Sequence, residues 1–404
     1  MPRTDLAARG SGAPTVRRVA ELVEAMAPLE LAQPWDNVGL LAGDPEAKPG
    51  WVAVALDAAH ATWLPTPLEG PGLLVVHHPL PFRPAVRLTE DEPVGAVLAS
   101  LIRGRISLYA AHTNFDSAPE GLSHLLAVRL GLSPESLRPL APPAAGAFYK
   151  LVVFVPEEHL AAVRAALAEA GAGWIGNYSD TAFSAPGRGY FRPREGADPY
   201  LGRVGEVEEV GEERLETIVP AHRLSPVLRR MLEVHPYEEV AYDVYQLRSH
   251  PPVTRPELVF GLGRVGDLSG AHGEEASLED FRASVERSLG LPPGGARLVA
   301  GRAGEGPGRA GSATVRRVAV CPGKGGDHVR AAAGAGADVF VTGELGYHEA
   351  LDAAQLGLAV ITAGHLATER MFVPEVAGRL RKALDHQGIP LRVIEVPTPS
   401  DWLV

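Results

Sequence analysis

Apolar residues recur at two different spacings in the first part of the chain. Behind Thr15, the residues Val16, Val19 and Val23 follow a helical period, which predicts a first helix with one buried face and Thr15 as its N-cap. Further along, short apolar runs rich in Val, Ile and Leu indicate strands buried on both faces, as in the centre of a parallel sheet. These runs lie at 51–56, 73–76 and 106–111, with a helical stretch at 94–103 before the last of them.

Apolar runs typical of buried strands again alternate with helical stretches in the last third of the chain. Strands are predicted at 315–320, 339–342, 358–362 and 391–396, and helices at 328–335, 347–356 and 369–386. Because strands alternate with helices at both ends of the chain, residues 1–145 and 253–404 are predicted to form the two halves of one α/β domain built on a shared sheet.

The middle of the chain has a different order of elements. The pattern predicts a strand at 150–155, a helix at 158–170, two strands across 174–191, a strand at 214–219, a helix at 224–234 and a strand at 240–247. With one of these strands left open, the order is the β-α-β-β-α-β of a ferredoxin-like unit. Loop-like segments at 141–146 and 249–252 flank it. We therefore predict an inserted ferredoxin-like domain at 146–252.

Composition and charge narrow the class of protein. A chain of 404 residues suits two or three domains, and its net charge of -11 includes no basic stripe, which argues against direct binding of nucleic acid. The absence of an apolar leader and of about 18 consecutive apolar residues predicts a cytoplasmic protein without a membrane span. The single Cys321 cannot build a cysteine-based zinc cage, so any metal ion must be held by nitrogen and oxygen ligands.

Residues of metal-binding type follow two of the predicted strands. His77 and His78 come directly after one buried strand, and Asp116 follows the next through a short turn. In parallel sheets, ligands bind beyond the carboxyl ends of the strands. Neighbouring side chains on an extended chain diverge, so two adjacent histidines suit two different metal ions. The alternative is one surface histidine and one histidine that hydrogen-bonds a helix.

A third segment supplies further ligands of the same type. His365 and Glu369 follow the predicted strand 358–362 at i, i+4 spacing, so in the first turn of a helix they face the same side. An exposed ion pair is the alternative for this pair alone. Three chain segments that deliver such residues to the same edge of one predicted sheet indicate a dinuclear centre. Imidazole and carboxylate ligands suit two divalent ions of Zn, Fe, Mn, Co or Ni.

Other residues are weaker candidates. Glu344 and His348 share i, i+4 spacing and are predicted to lie near the metals as partners of the ligands or as a proton shuttle, with a plain helix ion pair as the alternative. Residues 260–266 match the dinucleotide fingerprint literally, but no helix is predicted to open at its last glycine. Residues 321–327 could receive an anion between a strand and a helix, although a tight turn is favoured. Pocket candidates on the same grounds are His112, Asp36 and Asn37.

Six stretches of the chain closely resemble the NIF-three-like family, also called the YbgI-type dinuclear metal-centre proteins. They are 34–40 (PWDNVGL), 77–80 (HHPL), 111–116 (AHTNFD), 342–344 (TGE), 347–348 (YH) and 364–370 (GHLATER). The resemblance spans nearly the whole chain. It includes 235–239 (HPYEE), which is similar to the inserted module of longer members, itself similar to signalling and copper-tolerance trimer domains.

The resemblance implies a set of ligands and an assembly. In that family the double histidine, the aspartate after the His-Thr-Asn turn, and the histidine and glutamate of the Gly-His-x-Ala-Thr-Glu stretch bind metal. Leu366 stands where many members have a second histidine that is not among those ligands. The family resemblance further implies a toroidal homohexamer with metal sites facing an inner cavity. The matching ligand positions in this chain are His77, His78, Asp116, His365 and Glu369.

Two functions agree with these observations. A two-metal site favours hydrolysis, and family members are often labelled as a second type of GTP cyclohydrolase, which implies a nucleotide or related small-molecule substrate. The alternative is a non-enzymatic metal-binding or regulatory hexameric scaffold. Both hypotheses use the same ligand residues, so the sequence does not separate them.

Overall fold

A computed structural model describes residues 13–59, 70–83, 88–141, 148–247, 260–269, 273–300 and 314–398. The chain divides into two compact units, the first formed by Met1–Pro142 with Gly261–Val404 and the second by Pro143–Phe260. The second unit contains the segment 146–252 that the sequence predicts as an insertion. None of the helices in the described ranges combines the length and the apolar character needed to cross a membrane.

The described residues form strands and helices in close alternation. The strands are β1 (Gly39–Ala42), β2 (Trp51–Ala55), β3 (Gly72–Val76), β4 (Ile106–Ala110), β5 (Arg138–Pro139), β6 (Phe148–Pro156), β7 (Ala182–Phe191), β8 (Glu208–Pro220), β9 (Tyr242–Gln246), β10 (Arg264–Asp267), β11 (Ala276–Ser277), β12 (Arg297–Ala300), β13 (Thr314–Val315), β14 (Arg317–Lys324), β15 (Val339–Glu344), β16 (Ala359–Thr362) and β17 (Arg392–Glu395). The α-helices are α1 (Val16–Met26), α2 (Pro93–Arg103), α3 (Thr113–Ser117), α4 (Leu122–Arg129), α5 (Leu160–Glu169), α6 (Leu224–Val234), α7 (Leu278–Leu289), α8 (Val329–Gly334), α9 (Tyr347–Gln355), α10 (His365–Glu369) and α11 (Phe372–His386).

The first unit contains two main sheets. One has the order β1-β4-β3-β2-β17, in which β17, β2, β3 and β4 run parallel and β1 is antiparallel. The other has the order β12-β16-β15-β14-β10-β5, with β14, β15 and β16 parallel at its centre. The α/β class is confirmed, but the prediction of one shared sheet is wrong. Burial on both faces shows that a strand is central without showing which strands are its neighbours.

One apolar core joins the two sheets. Val54 and Val75 of the first sheet belong to the same buried cluster as Val320 and Val341 of the second, together with residues of α1, α4, α7 and α11. The alternate residues of the strands face the other way, as the period of two requires. Those of the first sheet pack against α2, and those of the second pack against α8 and α9.

The predicted elements of the first unit agree with the structure in part. The first helix is confirmed, and the Thr15 side chain accepts a hydrogen bond from the Arg18 backbone N–H at 3.2 Å. Most of the helix predicted at 369–386 is α11, and only its first residue, Glu369, belongs to the separate helix α10. The strand predicted at 315–320 continues as β14 to Lys324 with an irregular register, so the first residues of 321–327 extend a strand rather than form a tight turn.

The second unit is a four-stranded antiparallel sheet with two helices on one face. Its sheet order is β7-β8-β6-β9, and Val153 and Leu215 of the sheet pack with Val163 of α5 and Met231 of α6. Its elements follow the predicted β-α-β-β-α-β order. Only β7 lies in 174–191, where two strands were expected, because positive φ angles at Gly176 and Asp180 turn the chain before β7.

Candidate metal centre

The two adjacent histidines stand at the carboxyl end of β3 with one nitrogen each fixed by the protein. Fully buried His77 has its Nδ1 3.0 Å from the Ala111 carbonyl oxygen. A carbonyl can only accept, so Nδ1 carries the proton and Nε2 keeps a lone pair. The Nδ1 of His78 lies 2.9 Å from Asp57 Oδ1, which orients its Nε2 in the same way.

Asp116 is placed by a short helix that follows β4. The turn into α3 is held by Asn114, whose side-chain oxygen accepts from the His112 backbone N–H at 2.9 Å and whose amide donates to the Ala27 carbonyl at 2.7 Å. Asp36 accepts from the Thr113 backbone N–H at 3.0 Å and fastens the same turn. Asp116 is buried as a result, with Oδ1 3.6 Å from His77 Nε2.

Glu369 lies between two groups of ligand-type atoms. α10 begins at His365 directly after β16, and its single turn brings the His365 Nε2 to 3.2 Å from Glu369 Oε2. The same oxygen is 2.9 Å from His78 Nε2. The other oxygen, Oε1, is 3.8 Å from His77 Nε2. The structure therefore brings together all five residues that the sequence selects as metal ligands.

The route by which these residues meet differs from the one predicted. His77, His78 and Asp116 follow strands of the first sheet, whereas His365 and Glu369 follow β16 of the second sheet. They lie where the carboxyl ends of two sheets meet, not along one edge of one sheet. The expectation that three segments converge holds, and the expectation of a single sheet does not.

Comparison with known proteins agrees with these observations. The chain matches the family described as Duf34/NIF3 (NGG1p interacting factor 3) over residues 14–400. It belongs to the Duf34/NIF3 family. The resemblance read from the sequence motifs is therefore confirmed.

Relatives and solved structures cover nearly the whole chain. A protein of Bacillus subtilis (strain 168) named "GTP cyclohydrolase 1 type 2 homolog" is 39% identical over 384 residues, which is 95% of this chain and 96% of the relative. A protein of the same name from Mycobacterium tuberculosis (strain H37Rv) is 39% identical over 94% of each chain. The crystal structure of a Bacillus cereus protein related to NIF3 is similar with a TM-score of 0.73 and 36% identity, and it covers 98% of this chain and 100% of that one.

The donor atoms of this Duf34/NIF3 chain fit a metal ion. Within the described ranges, two groups of side chains have ligand atoms that lie within 4.8 Å of one another: His77 with His78 and His112, and His78 with His365 and Glu369. A metal with bonds of about 2.1 Å holds neighbouring ligand atoms roughly 3.0 to 3.4 Å apart. The 3.2 Å between His365 and Glu369 matches that spacing.

Two buried polar atoms lack a hydrogen-bond partner in the part of the chain that the structure describes and could be satisfied by a cation. His77 Nε2 and Asp116 Oδ1 have no hydrogen-bond partner among the described residues. Burial and the negative charge of Glu369 raise the pKa of Asp116 well above its usual range. Burial lowers the pKa of His77 to about 4, so this ring is neutral at pH 7 and cannot balance the charge of an ionised Asp116. A bound cation would satisfy both atoms.

Glu369 is held in the ionised form. Burial acts to raise the pKa of Glu369, but the interactions with His365, His77 and His78 outweigh it and hold the pKa well below its usual range. Burial also opposes the protonation of His78, yet Asp57 and Glu369 raise the pKa of this imidazole to about 10. A metal ion at the Nε2 of His78 would therefore take the place of a proton.

Glu344 and His348 differ in their relation to this centre. Glu344 ends β15 while His348 lies in α9, so the expected i, i+4 geometry on one helix is wrong. Glu344 Oε1 is 3.0 Å from His365 Nδ1, the contact of a residue that orients a metal ligand. The ring of His348 contacts that of Tyr347, with centroids 5.4 Å apart.

Two residues of the centre were not selected from the sequence. Asp57 lies one residue beyond the predicted strand 51–56, and this position at the end of a strand could have identified it as a site residue. Gly323 packs against the ligands, since a Cβ on it would overlap Glu369 Oε1 and lie 3.2 Å from His365 Nε2. Its signal was a glycine-rich segment that follows a predicted strand, but the close approach to Glu369 is not visible in a local pattern.

His112 is a pocket candidate that the structure places beside the ligands. Its ring centroid is 5.1 Å from that of His77, and its Nδ1 is 2.9 Å from Asp36 Oδ1. Burial acts to raise the pKa of Asp36, but hydrogen bonds from His112 and Thr113 outweigh it and hold that pKa at about 2. Asn37 donates to the Pro81 carbonyl oxygen at 2.9 Å.

Proposed function

We propose that this Duf34/NIF3 protein binds two divalent metal ions and is a metal-dependent hydrolase that acts on a nucleotide or related small molecule. The observation that carries the proposal is the position of Glu369. Its Oε1 faces His77, while its Oε2 faces His78 and His365. One carboxylate with an oxygen toward each histidine group suits a ligand shared by two ions.

Oxygen atoms of the protein orient the three histidine side chains that would bind metal. The Ala111 carbonyl fixes His77, Asp57 fixes His78 and Glu344 fixes His365. Such partners set the tautomer and direction of an imidazole before it binds a metal. Divalent ions at these donors would supply activation of water and stabilisation of the negative charge that develops during hydrolysis. Glu344 is half exposed, and because its Oε1 accepts from His365 Nδ1, its other oxygen, Oε2, is the one placed to hold a proton.

An exposed aromatic pair beside the centre supports a substrate with a planar ring. Trp35 and Phe82 are 59% and 48% exposed, and their ring centroids lie 5.8 Å apart. Each is also close to His112, at 6.2 Å and 6.1 Å between centroids. Exposed aromatic faces of this kind stack on nucleobases. Relatives named "GTP cyclohydrolase 1 type 2 homolog" make GTP the first compound to test.

The test is turnover by protein loaded in turn with Zn, Fe, Mn, Co or Ni. GTP and a panel of phosphoesters would be incubated with each form and the products separated by chromatography. Glu369→Gln should lower the metal content and reduce kcat by a factor of at least about 100. The matched control is Glu375→Gln, because Glu375 lies on α11 and pairs with Arg379 at 2.7 Å. Full metal retention without turnover of any compound would refute the hydrolase and support the metal-binding scaffold.

A further inference from the structure

Strand β14 contains a bulge directly beside the candidate metal centre. Two residues of β14, Pro322 and Gly323, lie opposite the single residue Gly343 of β15. The extra residue interrupts the regular ladder of hydrogen bonds between the two strands. Because Gly323 is buried, its backbone N–H and C=O need partners other than water. The bulge therefore raises the question of which groups satisfy this backbone.

Two threonine side chains supply those partners. The Gly323 N–H donates to Thr368 Oγ1 at 3.0 Å, and Thr342 Oγ1 donates to the Gly323 carbonyl oxygen at 3.1 Å. Both threonines are fully buried, so water does not compete for either hydroxyl. The backbone of Gly323 is thus held on both sides of its Cα, the atom that stands closest to Glu369 Oε1 when a Cβ is added there.

Thr368 also holds the helix that carries two of the candidate ligands. Helix α10 has only five residues, and its N-cap, Gly364, offers no side chain to cap it. A helix of one turn is not stable by itself. The Thr368 hydroxyl donates to the His365 carbonyl oxygen at 2.8 Å, with the Gly364 carbonyl oxygen at 3.2 Å as the alternative acceptor. One hydroxyl therefore joins the turn that contains His365 and Glu369 to the bulge of β14.

The backbone of both strands packs tightly against this turn. A Cβ at Gly343 would lie 2.6 Å from the Gly323 carbonyl oxygen, 2.8 Å from the His365 Cα and 2.9 Å from Thr368 Oγ1. A Cβ at Gly323 would overlap Glu369 Oε1. The turn therefore already lies against the two strands and cannot move closer to them. Its distance from the strands is set on the other side by the hydrogen bonds of Thr368.

We propose that Thr368 is a positioning residue of the candidate metal centre, which fixes Glu369 between two groups of imidazoles by joining α10 to Gly323. The inference rests on the proposed dinuclear centre and adds no ligand to it. Glu369 Oε1 is 3.8 Å from His77 Nε2, and Oε2 is 2.9 Å from His78 Nε2. Without the Thr368 hydroxyl, the Gly323 N–H would be buried and unsatisfied. The bulge and the turn would then separate, and Glu369 would leave its place between the histidines.

The test compares Thr368→Val with Thr368→Ser and Thr217→Val. Valine has nearly the shape of threonine but lacks the hydroxyl, whereas serine keeps the hydroxyl. Thr217 is the matched control, because it is buried in the second unit and its Oγ1 donates to the Thr181 carbonyl oxygen at 2.9 Å. Calorimetric titration of the metal-free chain with Mn²⁺ gives the number of ions per subunit and their affinity. The electron paramagnetic resonance spectrum of the loaded protein shows whether two ions are coupled through a shared ligand.

The expected results separate positioning from a general effect on stability. Thr368→Val should weaken Mn²⁺ binding roughly 10- to 100-fold and abolish the spectrum of a coupled pair. Thr368→Ser and Thr217→Val should bind Mn²⁺ within about threefold of the wild type and keep that spectrum. Both valine variants lose a buried hydrogen bond, so both should be less stable to urea than the wild type. Only the variant at Thr368 should change the metal centre.

A second variant covers the case in which Thr368→Val does not fold. Thr342→Val removes the other hydrogen bond to Gly323 and should weaken Mn²⁺ binding about fivefold. If the wild type binds two ions and the folded valine variants at Thr368 and Thr342 match its affinity and spectrum, the inference is overturned and the dinuclear centre stands. If the wild type binds fewer than two ions, the dinuclear centre and the inference are both refuted. These measurements do not depend on turnover.

Discussion

Gly323 packs against the candidate metal centre so closely that adding one methyl group should disturb it. Its φ is +61°, a conformation that residues with a side chain rarely adopt, and an added Cβ would overlap Glu369 Oε1. Gly336 provides a matched control. It has a φ of +73° in the same unit, but a Cβ there meets nothing within 4 Å. Gly323→Ala therefore adds a collision with a ligand to the strain that Gly336→Ala shares.

The size of the effect follows from the contacts of Glu369. The left-handed conformation costs an alanine roughly 1–2 kcal/mol at either site. At Gly323, the buried Glu369 must also move from His78 Nε2 at 2.9 Å and His365 Nε2 at 3.2 Å. Loss of a hydrogen bond to a charged group costs roughly 1.5–3 kcal/mol. We expect Gly323→Ala to lose about 2.5–5 kcal/mol of unfolding free energy and Gly336→Ala about 1–2 kcal/mol.

Two measurements on the same pair of variants check this reasoning. Urea unfolding of metal-free protein gives the difference in unfolding free energy, and competition with a chelator gives the affinity for zinc. Displacement of Glu369 should weaken zinc binding by a factor of about 100 or more in Gly323→Ala, with Gly336→Ala close to wild type. Equal stability losses in the two variants, or unchanged zinc affinity in Gly323→Ala, would show that Gly323 does not hold Glu369 in place.

Four further outcomes are expected. Glu344→Gln should lower metal affinity roughly 10- to 100-fold in chelator competition, because Glu344 orients His365. His348→Ala should lower kcat at unchanged metal content if His348 carries protons, and an unchanged kcat would leave it outside the reaction. Burial and the nearby Arg264 cation lower the pKa of His124, so the unfolded chain takes up the proton first and stability falls as the pH drops below about 6.5. In His124→Gln, urea unfolding at pH 7 and pH 5 should show a smaller loss than in the wild type. The family resemblance predicts a homohexamer, so light scattering should give a mass six times 42.7 kDa, and a monomer mass would contradict it.

The candidate metal ligands could be predicted from the sequence because their placement is local. His77 and His78 need only a buried strand before them, and the pattern of apolar residues at 73–76 shows that strand. His365 and Glu369 need only one helical turn, which their spacing implies. In each case the residue type and the end of an adjacent element are both visible within a few positions. The five ligand-type residues were therefore found without knowledge of the sheet order.

The rest depends on contacts that no local pattern contains. A strand buried on both faces has the same appearance in either of two sheets, so the division of the first unit was missed. Glu344 was given i, i+4 geometry with His348 from their spacing, yet β15 continues through Glu344. The roles of Asp57 and Gly323 arise from partners 21 and 46 positions away, respectively His78 and Glu369.

Residues 260–266 illustrate such distant contacts, because they bind the backbone that follows Asp116. Their glycines resemble a nucleotide-binding fingerprint, but β10 begins at Arg264 and no helix opens there. Arg264 is fully buried, and its guanidinium donates to the Ala118 carbonyl at 2.7 Å, across 146 positions of sequence.

The same segment is also fastened by its backbone. The Gly261 N–H donates to the Ser117 carbonyl at 2.8 Å. A buried cation is costly unless its donors are satisfied, so the Ala118 carbonyl, which accepts from the Arg264 guanidinium, must also stay where it is. Ser117 directly follows Asp116, so the segment that begins at Gly261 fixes the backbone that carries a candidate metal ligand.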